Sequence, residues 1–348
     1  MSRVSFLSHE HGHPVILCMS LRFRLLIISA VLFGCFVARG TPAAQAIAVS
    51  PVLFDFDIAQ GSSKQGAITI VNDTDQEDVF RLEVRNFVAM GEDGAQEYLE
   101  EKELTGLASW VSVNRPSVTL APGQAAEFPF VVNVPKDGEP GGHYASVFFS
   151  RAPRQADGTG VGIGGKVGVL LLVNVPGDVR EEAQIASFTL QGPKLRSHLP
   201  AVFDLRLRNL GSVHFRPRGS LVIRNMFGQE ISRVPANPKN SAVLPNSVRR
   251  VESVWANTLD EELDSGFWAE VRNEWKNFAF GRYRATVDMS YGTQAKTLTS
   301  SEVVLWVIPW RLSLFALGGL FILIFLFRTY NRLLVRSALK KEARGRRR

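Results

Sequence analysis

Short runs of Val, Ile, Phe and Thr, separated by Gly, Pro, Asn and Asp, recur along residues 48–302. In the run 78–88, polar positions alternate imperfectly with apolar ones, which predicts a strand with one buried and one solvated face. Residues 121–124, Ala-Pro-Gly-Gln, have the composition of a type II turn. Strands at this spacing are typical of antiparallel sandwiches.

This strand-rich region is long enough for two domains, each with its own core. We predict a first Ig-like β-sandwich over residues 47–178 and a second over 179–302, with the boundary at Pro176-Gly177-Asp178. The predicted fold class is therefore all-β: two tandem Ig-like antiparallel β-sandwiches followed by one C-terminal transmembrane helix.

One segment of the second domain, near residues 259–278, has a different period. Its apolar residues recur at four-residue steps, at Leu263, Phe267, Val271 and Trp275. That spacing places side chains on one face of a helix and predicts a helical insertion. The helix is either a lid on the second sandwich or a surface in which Trp268 and Trp275 meet a partner or the membrane interface.

An apolar run at residues 303–327 precedes a basic tail at 328–348. Twenty-five helical residues at about 1.5 Å each cross a hydrocarbon core of roughly 30 Å with some tilt. The tail has nine Lys or Arg and one acid, which predicts a cytoplasmic C-terminus and a single-pass, type I protein of the cell membrane. Residues predicted at the membrane boundaries are Trp306, Trp310, Arg311, Arg328 and Tyr330.

The N-terminal residues 1–46 have the pattern of a signal peptide. Arg22 and Arg24 precede an apolar run at 25–38, and Ala44-Gln45-Ala46 has the small-x-small form of a cleavage site. Whether the chain starts at Met1 or Met19 stays open. Both cysteines fall in this segment, so the mature protein is expected to have no disulfide.

The formal net charge of +7 does not by itself indicate a nucleic-acid partner, because the positive charge is unevenly distributed along the chain. Four basic residues and one acid belong to the signal segment, and ten basic residues and one acid belong to Arg311 and the tail. The remainder has 26 basic and 31 acidic residues. The positive excess therefore lies where anionic lipid headgroups would meet it, and a nucleic-acid partner is not expected.

No catalytic, cofactor or metal site is predicted. Gly160–Gly165 fits the dinucleotide pattern G-x-G-x-x-G, but a polar loop precedes it and a β-rich run follows, which indicates a hairpin loop. The oxygen-rich residues 72–78 lack the spacing of a calcium loop and indicate a hydrated turn, with calcium left open. His143, His198 and His214 each stand alone, without a zinc-like pattern.

The segment 91–103 is strongly acidic. Its acids are Glu92, Asp93, Glu97, Glu100, Glu101 and Glu103, with Lys102 as the one counter-charge. It is interpreted either as a solvated loop or as a docking strip for basic partners.

The chain resembles the WxL-interacting protein family of bacterial surface proteins. The first domain carries the resemblance in residues 120–124, 132–135 and 140–144, and the second in 209–219 and 244–250. The resemblance implies a peptidoglycan-binding-type Ig-like domain, a second Ig-like domain that contacts another protein, and a C-terminal membrane anchor.

These observations together predict a membrane-anchored extracytoplasmic adhesion or scaffold protein, not an enzyme, with peptidoglycan or surface proteins as partners. Sandwiches bind through edge strands and end loops. The predicted contact residues are Gly141, Gly142, His143 and Tyr144 in the first domain and Trp268 and Trp275 in the second. The alternatives are a chaperone-like assembly factor and a membrane-tethered cell-wall hydrolase.

Overall fold

A computed structural model describes residues 46–100, 105–151, 165–257 and 266–345. Five sequence predictions therefore fall outside the described residues in whole or in part. These are the signal peptide up to residue 45, the acidic segment at residues 101–103, the glycine-rich motif up to residue 164, Leu263 of the helical insertion, and the basic tail at residues 346–348.

The first sandwich contains ten strands and one short helix, α1 (Gly106–Trp110), among the described residues. One sheet has the strand order β1-β3-β8-β6, and the facing sheet has the order β2-β10-β9-β4-β5, with β7 also paired to β4. The strands are β1 (Ala46–Ser50), β2 (Leu53–Asp57), β3 (Ser63–Asp73), β4 (Asp78–Met90), β5 (Ala95–Tyr98), β6 (Val111–Val113), β7 (Ser117–Leu120), β8 (Ala125–Asn133), β9 (Gly141–Arg151) and β10 (Lys166–Val175).

The second sandwich packs a sheet of order β11-β13-β16 against a sheet of order β12-β19-β17-β14-β15, to which β18 adds by pairing with β17. The strands are β11 (Ala183–Leu190), β12 (Leu195–Arg196), β13 (Ala201–Asn209), β14 (Arg218–Arg224), β15 (Glu230–Pro235), β16 (Val248–Trp255), β17 (Gly281–Tyr291), β18 (Lys296–Thr299) and β19 (Val303–Val307). Helix α2 (Phe267–Lys276) lies between β16 and β17, and helix α3 (Trp310–Gly345) ends the described chain.

Each sandwich has its own apolar core, formed by the alternate residues that face the opposite sheet. Phe80, Phe130 and Phe149 are buried in the first core, and Phe203 and Trp255 in the second. The prediction of an all-β fold with two sandwiches and one apolar C-terminal helix is confirmed.

Two strand pairs depart from the predicted antiparallel pattern. β2 lies parallel to β10, and β12 lies parallel to β19. A parallel pair needs a crossover connection and cannot be closed by a hairpin turn. Both pairs join strands that are far apart in sequence, so local turn chemistry gave no sign of them.

Residues 303–307 are a strand, and their assignment to the transmembrane helix is wrong. As β19 they pair with β17 on one side and with β12 on the other, and Leu305 and Val307 are fully buried in the second core. A five-residue apolar strand next to an apolar helix cannot be separated from it by composition. Pro309 ends the strand, and its carbonyl accepts the hydrogen bond from Ser313 N (2.9 Å) that opens α3.

Helix α3 is long and apolar enough, over Trp310–Arg336, to cross a membrane. Its side chains from Leu314 to Val335 are largely exposed, in contrast to those of a helix in a protein core. Trp310, Arg311, Arg328 and Tyr330 belong to this helix, whereas Trp306 lies in β19. The membrane-boundary role of all five residues stays a prediction.

Candidate interaction sites

The two sandwiches meet at a joint whose backbone is tightly hydrogen-bonded. The connecting segment 176–182 pairs with the turn after β13: Leu210 N donates to Glu182 O, and Ser212 N donates to Arg180 O, both at 2.8 Å. Asn209 holds that turn, because its buried amide donates to Val213 O (2.8 Å). The connection is therefore fixed along its length and does not act as a free linker.

Two glycines allow the first sandwich to approach this turn. Gly142 N donates to Ser212 O at 2.9 Å, so the main chains of the two domains are in direct contact. Gly141 has φ +136°, a backbone conformation that favours glycine, and a Cβ there would lie 3.2 Å from Ser212 O. The predicted contact residues Gly141 and Gly142 thus lie at the joint between the domains.

A chain of polar side chains crosses the joint. Tyr144 Oη lies 3.2 Å from His214 Nδ1, and His214 Nε2 lies 2.9 Å from Asp55 Oδ1. Arg216 Nε donates to the other oxygen, Asp55 Oδ2, at 2.9 Å. Asp55 and Tyr144 belong to the first sandwich, and His214 and Arg216 to the second. The resulting network ties together residues separated by up to 161 positions in sequence.

Burial and charge act in opposite directions on the carboxyl group of this network. Burial by itself would raise the pKa of Asp55, but hydrogen bonds and positive charge from His214 and Arg216 outweigh it and hold that pKa below its ordinary value of 3.8. Burial raises the pKa of Tyr144, so its hydroxyl is a neutral hydrogen-bonding group. The geometry is that of a structural polar network.

This network gives a pH prediction for the Asp55→Asn variant. A carboxyl group with a depressed folded pKa contributes stability above its unfolded pKa and loses it as the pH falls through the folded value. Because the Asp55 side chain is 38% exposed, we expect the variant to lower the free energy of unfolding by only about 1 kcal/mol at neutral pH. Denaturant unfolding of the full chain in detergent should show this difference at neutral pH and its progressive loss as the pH falls below 3.8 toward the lower folded pKa of Asp55.

Asp57→Asn is the matched control, because Asp57 lies on the same strand but bonds Asn174 within the first sandwich. An Asp55→Asn difference that persisted unchanged at strongly acidic pH would contradict the ionic role of Asp55.

The acidic segment also docks on the second sandwich. β4 and β5 form a hairpin whose tip carries Glu92 and Asp93. Arg206 Nε donates to Glu92 Oε2 at 2.6 Å, and Arg250 Nη2 lies 2.9 Å from Asp93 Oδ1. Part of the predicted solvated or partner-docking strip therefore pairs with basic residues of the same chain.

The joint also encloses empty space that a ligand could occupy. A cavity of about 240 Å³ lies between the sandwiches, with apolar walls from Phe87 and Leu172 and basic side chains from Arg216, Lys239 and Arg249. Arg249 Nε is buried without a hydrogen-bond partner among the described residues. Burial lowers the pKa of Arg249, which is the effect of removing a charged group from water.

A groove of about 410 Å³ opens beside this cavity. It is lined by residues 139–144 of the first sandwich and by Leu244, Pro245 and Asn246 of the second. His143 reaches it while its Nε2 lies 2.8 Å from Glu139 O and its ring packs 4.5 Å from Trp110. All four predicted contact residues of the first domain line this groove, and their binding role stays a prediction.

In the C-terminal part of the chain, helix α2 is held to the first turn of α3 by the buried carboxylate of Glu274. Arg311 Nη1 donates to Glu274 Oε1 at 3.1 Å, and Leu312 N donates to Glu274 Oε2 at 2.9 Å. The Glu274 side chain is 0% exposed. The carboxylate thus satisfies an amide that the start of a helix leaves unpaired, where the helix dipole favours negative charge.

The aromatic side chains of α2 are largely exposed. Trp268 is 72% exposed and Trp275 74%, and Phe267 is exposed as well, while Asn273 and Glu274 are buried. The helix is present in the described part of the predicted insertion. Asn273 and Glu274 face the protein, Phe267 and Trp268 contact Phe315 of α3, and both interpretations of this helix stay predictions. We call Phe267, Trp268 and Trp275 the aromatic face.

Sequence reasoning missed Asp55, His214, Arg216 and Glu274. His214 and Arg216 lie in the segment 209–219 that carries the family resemblance, yet their partner Asp55 is distant in sequence. Asp55 is a charged residue within a strand of otherwise apolar pattern, and that was the available signal; His214 and Arg216 lie between β13 and β14, and Glu274 lies in α2. Among the described residues, no group of three or more His, Cys, Asp or Glu could hold a metal ion.

No protein-family model and no curated protein matches this chain. Similar solved structures include the class 5 fimbriae chaperone CfaA, 10% identical, with 76% of this chain and 100% of that chain covered and a TM-score of 0.34. The E. coli chaperone DraB is 14% identical, with 76% and 98% covered and a TM-score of 0.32. A complex of Salmonella enterica SafA pilin with the SafB chaperone is 10% identical, with 77% of this chain and 99% of that chain covered and a TM-score of 0.31. Likenesses this weak carry no argument about function.

Proposed function

We propose that the protein is a membrane-anchored, extracytoplasmic scaffold that binds a cell-wall or surface-protein partner through its two Ig-like sandwiches. The observation that carries this proposal is continuity: two sandwiches held by a hydrogen-bonded joint lead, two residues after β19, into a helix long and apolar enough to span a membrane. The basic tail at residues 328–348, which begins within that helix, supports a cytoplasmic C-terminus. Such a body presents a fixed surface at a membrane.

The proposed binding site is the groove and cavity at the joint. Concave sites with apolar walls and a few convergent polar groups are the usual ligand sites of proteins. Here Arg216, Lys239 and Arg249 supply positive charge, which suits a carboxylate on the partner. Peptide stems of peptidoglycan and acidic surface segments of proteins both carry that group, in keeping with the partner classes that the WxL-interacting resemblance implies.

Site-specific photocrosslinking in intact cells tests the proposal. A photoreactive amino acid at Asn246, on the exposed rim of the groove, is compared with one at Glu127, an exposed position on β8 outside it. We expect crosslinks from position 246, and not from 127, to a cell-wall fragment or to an extracytoplasmic protein, identified by mass spectrometry. Equal labelling from both positions, or crosslinks to cytosolic proteins, would contradict the proposal.

A charge variant sharpens the same experiment. A hydrogen bond to a charged group contributes about 1.5–3 kcal/mol, so Arg249→Gln should weaken partner binding about tenfold or more. Arg233→Gln is the matched control, because Arg233 is exposed and pairs only locally with Glu230 in the described structure. Crosslinks from position 246 to unfolded or strand-incomplete proteins would favour the chaperone-like alternative. Cleavage of purified cell wall by the full chain would favour the hydrolase alternative.

A further inference from the structure

The aromatic face of α2 is attached to the first turns of α3. The Phe267 ring lies 6.3 Å, and the Trp268 ring 5.8 Å, from the ring of Phe315 on α3, measured between ring centroids. Trp268 is nearly parallel to Phe315, with an interplanar angle of 27°. The depth of these aromatic side chains at a membrane is therefore set by the depth of Phe315.

The length of the apolar segment fixes that depth. Arg311 and Arg328 bound a stretch of 16 residues without a charge. The helical distance between these two arginines is about 26 Å, which is slightly less than a hydrocarbon core of roughly 30 Å. The uncharged stretch is no longer than the hydrocarbon core is thick, so all of it is needed to cross the core. Phe315, about 6 Å along the helix from Arg311, must therefore lie just inside the outer hydrocarbon boundary. Phe267 and Trp268 are then at the headgroup level.

Helical periodicity extends the argument to the rest of α2. Trp275 follows Trp268 by seven residues, two turns of helix, so both project from the same face. Arg272 and Lys276 are exposed on the same helix, and cationic side chains of this kind accompany Trp at the surface of anionic bilayers. Exposed tryptophans next to basic residues are the composition of a helix that lies in the membrane interface.

We propose that α2 is an interfacial helix, which inserts Trp268 and Trp275 among the lipid headgroups beside the transmembrane helix and so fixes the orientation of the second sandwich on the bilayer. This inference rests on the membrane anchoring in the proposed function. The buried face, with Asn273 and Glu274, holds α2 to the protein while the aromatic face contacts lipid. The occupant of the aromatic face is the outer leaflet of the bilayer.

Spin labels on the full chain test this placement. Single-cysteine variants Trp268→Cys, Trp275→Cys, Phe321→Cys and Val79→Cys, made in a Cys18→Ser, Cys35→Ser background, are labelled with a nitroxide and reconstituted into vesicles of phosphatidylethanolamine and phosphatidylglycerol. Phe321 is an exposed residue of α3, and Val79 an exposed residue of the first sandwich. Collision rates with oxygen, which concentrates in lipid, and with a water-soluble nickel complex report the depth of each label.

We expect labels at 268 and 275 to have an oxygen-to-nickel ratio several-fold above that at Val79 and below that at Phe321. A lipid-exposed label at 321 together with water-exposed labels at 268 and 275 would overturn the interfacial helix alone. Labels at 268 and 275 that neither reagent reaches would also overturn it, since a protein would then cover the face. A water-exposed label at 321 would overturn the membrane anchoring itself.

Discussion

A chain that ends at Glu302 is expected to lose the fold of its second sandwich, whereas a chain that ends at Ile308 keeps the fold and leaves the membrane fraction. The difference is β19, which inserts between β12 and β17 and buries Leu305 and Val307 completely. Each of these side chains contributes about 1.5–3 kcal/mol on burial, and the strand also supplies backbone hydrogen bonds on both sides. A domain is stabilised by only about 5–15 kcal/mol in total.

Denaturant unfolding and limited proteolysis of the two truncated chains measure this effect. The first sandwich is unchanged in both chains and serves as an internal control. We expect the chain ending at 302 to show one transition, from the first sandwich, and rapid cleavage of residues 183–302. If both truncated chains unfolded at the same denaturant concentrations, β19 would not be part of the cooperative second domain.

Replacement of Glu274 by alanine is expected to detach α2 from α3 and to lower the free energy of unfolding of the second domain by about 3 kcal/mol. Removal of one partner from a buried ion pair leaves the other charge uncompensated, which typically costs 3–5 kcal/mol. Here the loss includes the hydrogen bond to Leu312 N as well as the pair with Arg311. Hydrogen exchange of the full chain in detergent should show faster exchange in α2 and at residues 311–313.

Glu270→Ala is the matched control for this experiment. Glu270 lies one turn earlier on α2 and also approaches Arg311, at 3.3 Å, but its side chain is 33% exposed. An ion pair of that kind contributes about 1 kcal/mol or less. Glu274→Gln should be intermediate, because an amide oxygen can still accept from Leu312 N. Equal effects of Glu270→Ala and Glu274→Ala would contradict the assigned role of the buried carboxylate.

The strand pattern predicted the sandwiches because each strand alternates between a core and a solvent face, and the turns follow from local chemistry. At the predicted type II turn, Gly123 has φ +69° and Gln124 N donates to Ala121 O at 3.0 Å. Such features depend on a few adjacent residues. The assignment of 303–307 failed because a buried strand and an apolar helix have the same composition when they are adjacent.

The joint could not be predicted, because it depends on distant pairs. Asp55 and His214 are 159 residues apart, and the parallel pair of β2 with β10 brings residues of both ends of the first sandwich to that place. For α2, the period correctly indicated a helix, but a hydrophobic stripe does not specify whether its neighbour is protein or lipid. The contacts of Glu274 with Arg311 and of Trp268 with Phe315 required the three-dimensional structure.

The connection between β19 and α3 has a mechanical consequence. Only Ile308 and Pro309 separate the strand from the helix, and two extended residues span at most about 7 Å. A tensile load applied to the first sandwich would therefore travel through the hydrogen-bonded joint and β19 directly into the helix. With no slack to absorb it, the force would reach the apolar helix at once.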